Sequence, residues 1–180
     1  REILWGVILA HGAGIFADDA TYVKAGARIV PDAASVFRDA ELIVKVKEPQ
    51  ASEYTQLKPG QILFTYLHLA PDPEQARGLM ASGCAAIAYE TVQLPSGMLP
   101  LLYPMSEVAG CLAPQVGAHA MMKPQGGRGV LMGCVGGVAN AKVVVLGAGV
   151  AGQNAANVAL GMGAEVTMLD TDLDKLRMSF

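Results

Sequence analysis

The sequence predicts an α/β chain, a parallel sheet covered on both faces followed by the first half of a second α/β unit. Three observations predict it. Hydrophobic residues make up 52% of the 180 residues and charged residues 16%, too apolar for disorder and suited to strands buried on both faces. Short β-rich apolar runs alternate with helical connections, the order that produces parallel strands through right-handed crossovers. The stretch "VVVLGAGVAGQNAANVALGMGAEVTMLD", Val143 to Asp170, reads as strand, glycine turn, helix, second strand and acid.

Along the chain, "DDATYVKAGARIV" predicts a helix and a short strand ending before Pro31, and "PDAASVFRDA" a further helix. "ELIVKVKEP" is a strand stopped by Pro49, and "GQILFTYLH" a second strand entered through the Pro59-Gly60 turn. In "PDPEQARGLMASG", Asp72 supplies an N-cap, Pro73 the first helical position and Gly83 the stop. "CAAIAYETVQ" is the third strand, and "LPSGMLPLLYP" is loop with an extended segment. "MSEVAGCLAPQVGAHAMM" is helical in pattern, with Ser106 as N-cap and Pro114 expected to kink or split it. The glycine-rich "QGGRGVLMGCVGGVANA" reads as turn and hairpin. The domain boundary is placed between Pro100 and Pro104, giving residues 1–103 and 104–180 as the two domains.

A formal charge of -3 and a pI near 5.6 give no footprint for nucleic acid or an anionic membrane, so the expected partner is a small molecule. Cys84, Cys111 and Cys134 are odd in number and widely spaced. They suggest neither a disulfide framework nor a metal site, and a reducing, cytoplasmic compartment is the expectation. The opening "REILWGVILAHGAG" is too short to span a bilayer and carries no clear cleavage pattern.

Gly147, Gly149 and Gly152 form GxGxxG directly after "KVVVL" and at the mouth of a helix. In that context the first glycine makes the tight turn, the second lets the backbone approach a pyrophosphate, and the third lets helix pack on strand. Unpaired N–H groups and the helix dipole then face the phosphates, with Ala148 inside the turn. Asp170 ends the second strand, where an acid binds ribose hydroxyls and favours NAD over NADP. GxGxxG by itself is also an ordinary glycine-rich turn, but strand, helix, strand and acid together make this half of a Rossmann unit. Lys175 follows on a helical segment; position alone reads it as a solvated helix residue.

Lys47 ends "LIVKVK", His68 ends "ILFTYLH" and Glu90 ends "AIAYE". In open α/β sheets ligands bind outside the carboxyl ends of strands, so these three share a rim if their strands are neighbours. A lysine there can hold a substrate carboxylate, and a histidine can hydrogen-bond a carbonyl oxygen and act as general acid. The plainer readings stay open from position alone: His68 as a core or rim residue between leucines, Lys45 and Lys47 as solvated edge lysines, Arg128 as a surface turn arginine. His11 and His119 have no partner at a telling spacing.

Together "VKVKEP", "GQILFTYLHLA", "AIAYETVQ", "PMSEVAG", "QGGRGVLMG" and the glycine-turn stretch resemble the bacterial alanine dehydrogenases. The wider group also holds the soluble domain of proton-translocating nicotinamide nucleotide transhydrogenase; "YETVQ" and "MSEVAG" look like the dehydrogenase side. The resemblance implies reversible NAD-dependent oxidative deamination of L-alanine to pyruvate and ammonium, in a homohexamer. It implies that Lys47 holds the substrate carboxylate and that His68 polarises the carbonyl oxygen and shuttles its proton. On the cofactor side it implies Ser106, the turn Gly147, Ala148, Gly149 and Gly152, then Asp170 and Lys175, with no metal. Family members also carry an opening strand with a substrate-gripping arginine, and a continuation past Asp170 with a catalytic aspartate. Neither has a counterpart here, so the chain reads as a window on a longer dehydrogenase. The alternatives are a binding-only or inactive fragment, or a transhydrogenase-like NAD(H)-binding domain.

Overall fold

The computed structural model describes residues 5–8 and 12–179, with backbone alone for 5–8. His11 lies outside the described residues. The chain divides into two compact units, Arg1–Val92 and Gln93–Phe180. Among the described residues every strand pairing is parallel.

The first unit holds β1 (Trp5–Ile8), α1 (Asp19–Lys24), β2 (Ala27–Val30), α2 (Ala33–Asp39), β3 (Leu42–Val44), α3 (Ala51–Tyr54), β4 (Ile62–Thr65), α4 (Pro73–Ser82) and β5 (Ala85–Ala88). β1 pairs with β2, a strand that sequence reading did not assign. β3, β4 and β5 form a three-stranded sheet in that order, so the strands ending near Lys47, His68 and Glu90 are neighbours. The strand expected over "ELIVKVKEP" is shorter than its apolar run: regular pairing stops at Val44, although the Lys45 N–H still reaches the Phe64 carbonyl.

The helices begin where side chains replace the missing intrahelical acceptors. Asp18, Asp32 and Asp72 accept from the N–H of Thr21, Ser35 and Gln75. Gly83 ends α4 in the left-handed region, as its position predicts. Phe37, Ile43, Leu57, Leu63, Leu67 and Leu79 make the core, one residue each from α2, β3, β4 and α4 with Leu57 and Leu67 from the segments before and after β4. Gln61 is a buried polar brace within it, donating to the Phe37 and Ala40 carbonyls and accepting from the Lys58 N–H. Those bonds satisfy the carbonyls at the end of α2 that the helix leaves without partners.

The second unit holds α5 (Tyr103–Ala120), β6 (Lys142–Leu146), α6 (Val150–Gly161), β7 (Glu165–Leu169) and α7 (Leu173–Arg177). Two expectations about α5 are corrected. It starts at Tyr103 with Pro104 in its first turn, so Ser106 is a helical residue and not the N-cap. The helix also runs through Pro114 without being split, which removes the split from the expected kink or split. α5 crosses α6 closely because Gly110 has no side chain; a Cβ there would overlap the Ala151 carbonyl. The hairpin expected over 125–141 is absent: among the described residues the segment between α5 and β6 contains a 3-10 turn, Lys123–Gln125, and no strand. Met132, Ala159 and Ala164 form the small core beneath β6 and β7. The other face of this two-stranded sheet is open, with Val144, Leu146 and Leu169 exposed. No helix among the described residues is long and apolar enough to cross a membrane.

Candidate functional site

Two sets of groups stand out, one in each unit. The first lies at the carboxyl ends of β3, β4 and β5. Lys47 is exposed, and its carbonyl accepts from the hydroxyl of the fully buried Thr65 at 2.8 Å. Lys45 is half-buried and ion-paired with Glu53, which also accepts from the Gln50 N–H at 2.7 Å. Lys45 is therefore committed to its own unit, whereas no ion pair occupies Lys47 among the described residues. Beside Lys47, Glu48 Oε2 is buried and has no hydrogen-bond partner there.

His68 follows β4 with φ of 47°, in the left-handed region. For a residue that is not glycine, this costs about 1–3 kcal/mol, so neighbouring contacts must hold it. They are visible: the His68 N–H donates to Glu90 Oε1 at 2.7 Å, and the Leu67 N–H to both Glu90 oxygens at 3.2 Å. From the other side the buried Gln75 amide donates to the Leu67 carbonyl at 2.6 Å. The imidazole stacks on Tyr66 with ring centroids 5.9 Å apart, and Tyr66 in turn meets the edge of Tyr89. Burial pushes the Glu90 carboxyl up, but the His68 N–H, its own backbone N–H and that of Leu67 outweigh it and hold the group below its ordinary range. Glu90 is an anion at neutral pH.

The second set is the turn after β6. Gly147 has φ of 106°, open to glycine alone, and its N–H bonds the Leu169 carbonyl at 2.7 Å. Gly149 caps α6, and a Cβ on it would meet nothing within 4 Å, leaving space over the helix N-terminus. A Cβ on Gly152 would overlap the Gly147 carbonyl oxygen, so helix and turn touch at that point. Gln153 braces the turn by donating to the Ala148 carbonyl at 2.9 Å.

Asp170 faces the same turn from the end of β7. Its carboxylate accepts from the Ala148 N–H at 2.6 Å and from the Asp172 N–H at 2.8 Å. The Asp172 N–H is the larger cause, and that of Ala148 the next, holding Asp170 below the usual carboxylate range, so it too is anionic at neutral pH. Leu146, Gly147, Leu169, Asp170 and Thr171 line an open cleft of about 430 Å³. Lys175 lies 3.8 Å from Asp172, both exposed, and Ser106 sits in the first turns of α5. A glycine-only turn, an uncrowded helix N-terminus and a charged acceptor at the strand end are the groups a dinucleotide's pyrophosphate and ribose require, so these residues fit NAD.

Sequence reading grouped Lys47, His68 and Glu90 on position and missed what anchors them. Thr65 and Gln75 gave no signal, since a polar residue in an apolar run shows nothing of the carbonyl it serves. The chain matches "Alanine dehydrogenase/PNT, N-terminal domain" over residues 6–109 and "Alanine dehydrogenase/PNT, C-terminal domain" over residues 113–179. The chain belongs to the alanine dehydrogenase/PNT family. Membership supports a general NAD-binding oxidoreductase role. It is 60% identical over 166 residues to an alanine dehydrogenase of Mycobacterium tuberculosis, covering 92% of this chain and 45% of that relative. An alanine dehydrogenase of Halomonas elongata is 55% identical over 167 residues, covering 93% of this chain and 45% of its own length. Among solved structures, an L-alanine dehydrogenase superposes with a TM-score of 0.88 at 47% identity, covering 97% of this chain and 48% of that one. A transhydrogenase from Sinorhizobium meliloti gives 0.78 at 26% identity, covering 97% and 52%. The chain thus spans about half the length of the relatives it matches.

Proposed function

We propose that the protein carrying this chain catalyses reversible, NAD-dependent oxidative deamination of L-alanine to pyruvate and ammonium. The observation that carries the reading is His68, held in a strained backbone conformation at the carboxyl end of β4 by groups that leave its imidazole unburied. A purely packed histidine needs no such restraint. The higher identity to alanine dehydrogenases than to the transhydrogenase supports the choice within the family.

In this reading the Lys47 ammonium pairs with the substrate carboxylate and fixes which end of the molecule faces the reacting carbon. His68 donates a hydrogen bond to the pyruvate carbonyl oxygen and protonates it as ammonia adds to that carbon and the oxygen leaves as water, giving the imine that is then reduced. In the oxidative direction it takes a proton from the water that adds to the imine. NAD, held by the residues of the glycine turn, would supply the acceptor for the hydride leaving the alanine carbon. Gly147 and Ala148, whose N–H groups are held by the Leu169 carbonyl and the Asp170 carboxylate, shape the turn. Gly149 and Gly152 let the pyrophosphate approach the N-terminus of α6, and Asp170 accepts from the ribose hydroxyls while repelling a 2'-phosphate. Ser106 and Lys175 complete the nucleotide contacts. The first domain handles substrate, the second NAD, and the protein works in the cytoplasm as a homohexamer.

A second reading concerns residues 1–180 by themselves, and the open face of β6 and β7 favours it. With Val144, Leu146 and Leu169 uncovered, the nucleotide unit is half a sheet, and these residues alone bind NADH weakly without turning over alanine. The test is NADH formation from L-alanine and NAD by the protein at its native length, beside hydride exchange between NADH and NADP without amino acid. Alanine-dependent NADH formation supports the proposal. Exchange without amino acid, and no use of alanine, overturns it in favour of a transhydrogenase-like domain.

A further inference from the structure

We propose that Glu90 is a positioning residue for His68, acting through the backbone to aim the imidazole. The inference rests on the reading of His68 as the proton-handling group and adds what makes that group competent.

The Leu67 and His68 N–H groups are consecutive, and in an extended strand consecutive N–H groups point to opposite sides. Here both converge on one carboxylate, at 3.2 and 2.7 Å. Consecutive N–H groups form such a concavity when one residue turns left-handed, and the concavity favours an anion. His68 is that left-handed residue, and Glu90 supplies the anion from the turn that follows the neighbouring strand β5. The fold and the charge are therefore one feature: without the carboxylate, nothing holds the two N–H groups together and His68 can relax to an ordinary backbone conformation.

The Leu67–His68 peptide is held at both ends, its oxygen by Gln75 at 2.6 Å and its N–H by Glu90 at 2.7 Å. A fixed peptide plane fixes the direction of the His68 Cα–Cβ bond, and Tyr66, stacked at an interplanar angle of 13°, then limits the ring. The three constraints come from three elements: α4 supplies Gln75, the segment after β4 Tyr66, and the turn after β5 Glu90. The peptide before His68 thus carries two braces, a neutral amide from the buried Gln75 on its oxygen and a carboxylate from Glu90 on its N–H. The charged acceptor makes the stronger bond, and here it falls on the N–H of His68 itself.

The test is a double-mutant cycle in the native-length protein: His68→Ala, Glu90→Ala, Glu90→Gln and each Glu90 change combined with His68→Ala. The readouts are kcat, KM for L-alanine, NADH affinity and the melting temperature. Glu90→Ala is expected to lower kcat about 100-fold, the cost of a misplaced reacting group, with NADH affinity unchanged. Glu90→Gln, which keeps one acceptor oxygen in place, recovers part of that loss. The double variants are expected to be no slower than His68→Ala alone, because a residue that acts only through His68 has nothing left to position. Normal kcat in the Glu90 variants beside a dead His68→Ala overturns the positioning role, as does a double variant slowed by the full Glu90 factor again. Full turnover in His68→Ala overturns instead the reading of His68 itself. If Glu90→Ala fails to fold, the Glu90→Gln arm carries the same cycle.

Discussion

The rim of the first unit and the glycine turn of the second both set a carboxylate against backbone N–H groups, yet they are built by opposite means. At the rim, side chains shape the backbone: Glu90 and Gln75 grip the peptide before His68, and Thr65 holds the Lys47 carbonyl. At the turn the backbone is shaped by missing side chains, since Gly147 needs its positive φ and Gly152 its contact with the Gly147 carbonyl. Asp170 then ties the turn to β7 through the Ala148 N–H. The difference decides how each fails. The turn fails sterically, at once and for any side chain; the rim fails by degrees, one hydrogen bond at a time.

The largest expected effect follows from that contrast. Gly152→Ala forces a Cβ into the Gly147 carbonyl, and relief requires α6 to move off the turn. Overpacking of this kind costs about 1–3 kcal/mol. Calorimetry should show the loss of stability, and an NADH fluorescence titration should show binding weakened beyond measurement. Normal binding in a folded Gly152→Ala variant would break the assignment of the turn to the nucleotide.

Gln75→Ala sharpens the other side. The buried amide is lost and the Leu67 carbonyl goes unsatisfied, at about 1–3 kcal/mol. A melting curve reads that loss, and NADH titration should be unaffected, because the damage stays at the rim.

Asp170→Asn probes the carboxylate of the turn and gives a smaller effect, a weakening of NADH binding by roughly tenfold for a charge-assisted bond made neutral. The pH dependence has a defined sign. The Asp170 carboxyl lies below its ordinary range when folded. Its contribution is therefore complete above the ordinary carboxylate range and is lost as pH falls through the lowered value. Binding measured against pH should weaken on the acid side in the parent protein and lose that limb in Asp170→Asn.

Lys175→Ala is the smallest. Its pair with Asp172 is exposed on both sides, and such pairs contribute about 0–1 kcal/mol. Stability should hardly change, and a drop in NADH affinity with stability intact would isolate a direct contact to the nucleotide.

What the sequence disclosed follows the same division. The turn was legible because glycine is itself the signal: spacing alone located Gly147, Gly149, Gly152 and Asp170, and β6, α6 and β7 around them. That β3, β4 and β5 are parallel also followed from apolar runs alternating with short helical connections, while their order as neighbours was a condition that only the structure met. The start of α5 lies four residues before the one a Ser106 cap implies, because Pro104, read as loop, sits in the first helical turn and was the better signal. The hairpin expected before β6 had glycines but no run of alternating residues able to pair. The left-handed state of His68 was invisible, since its cause, Glu90, lies 22 residues away and shows itself only when β4 and β5 lie side by side.

The central claim, that this chain carries the proton-handling histidine of an alanine dehydrogenase, is tested most directly by His68→Ala in the native-length protein. NADH formation from L-alanine and NADH affinity should be measured together. The account predicts a fall in turnover of about 100-fold or more, the contribution of a general acid, with NADH affinity unchanged. Alanine-dependent turnover that survives the substitution would contradict it.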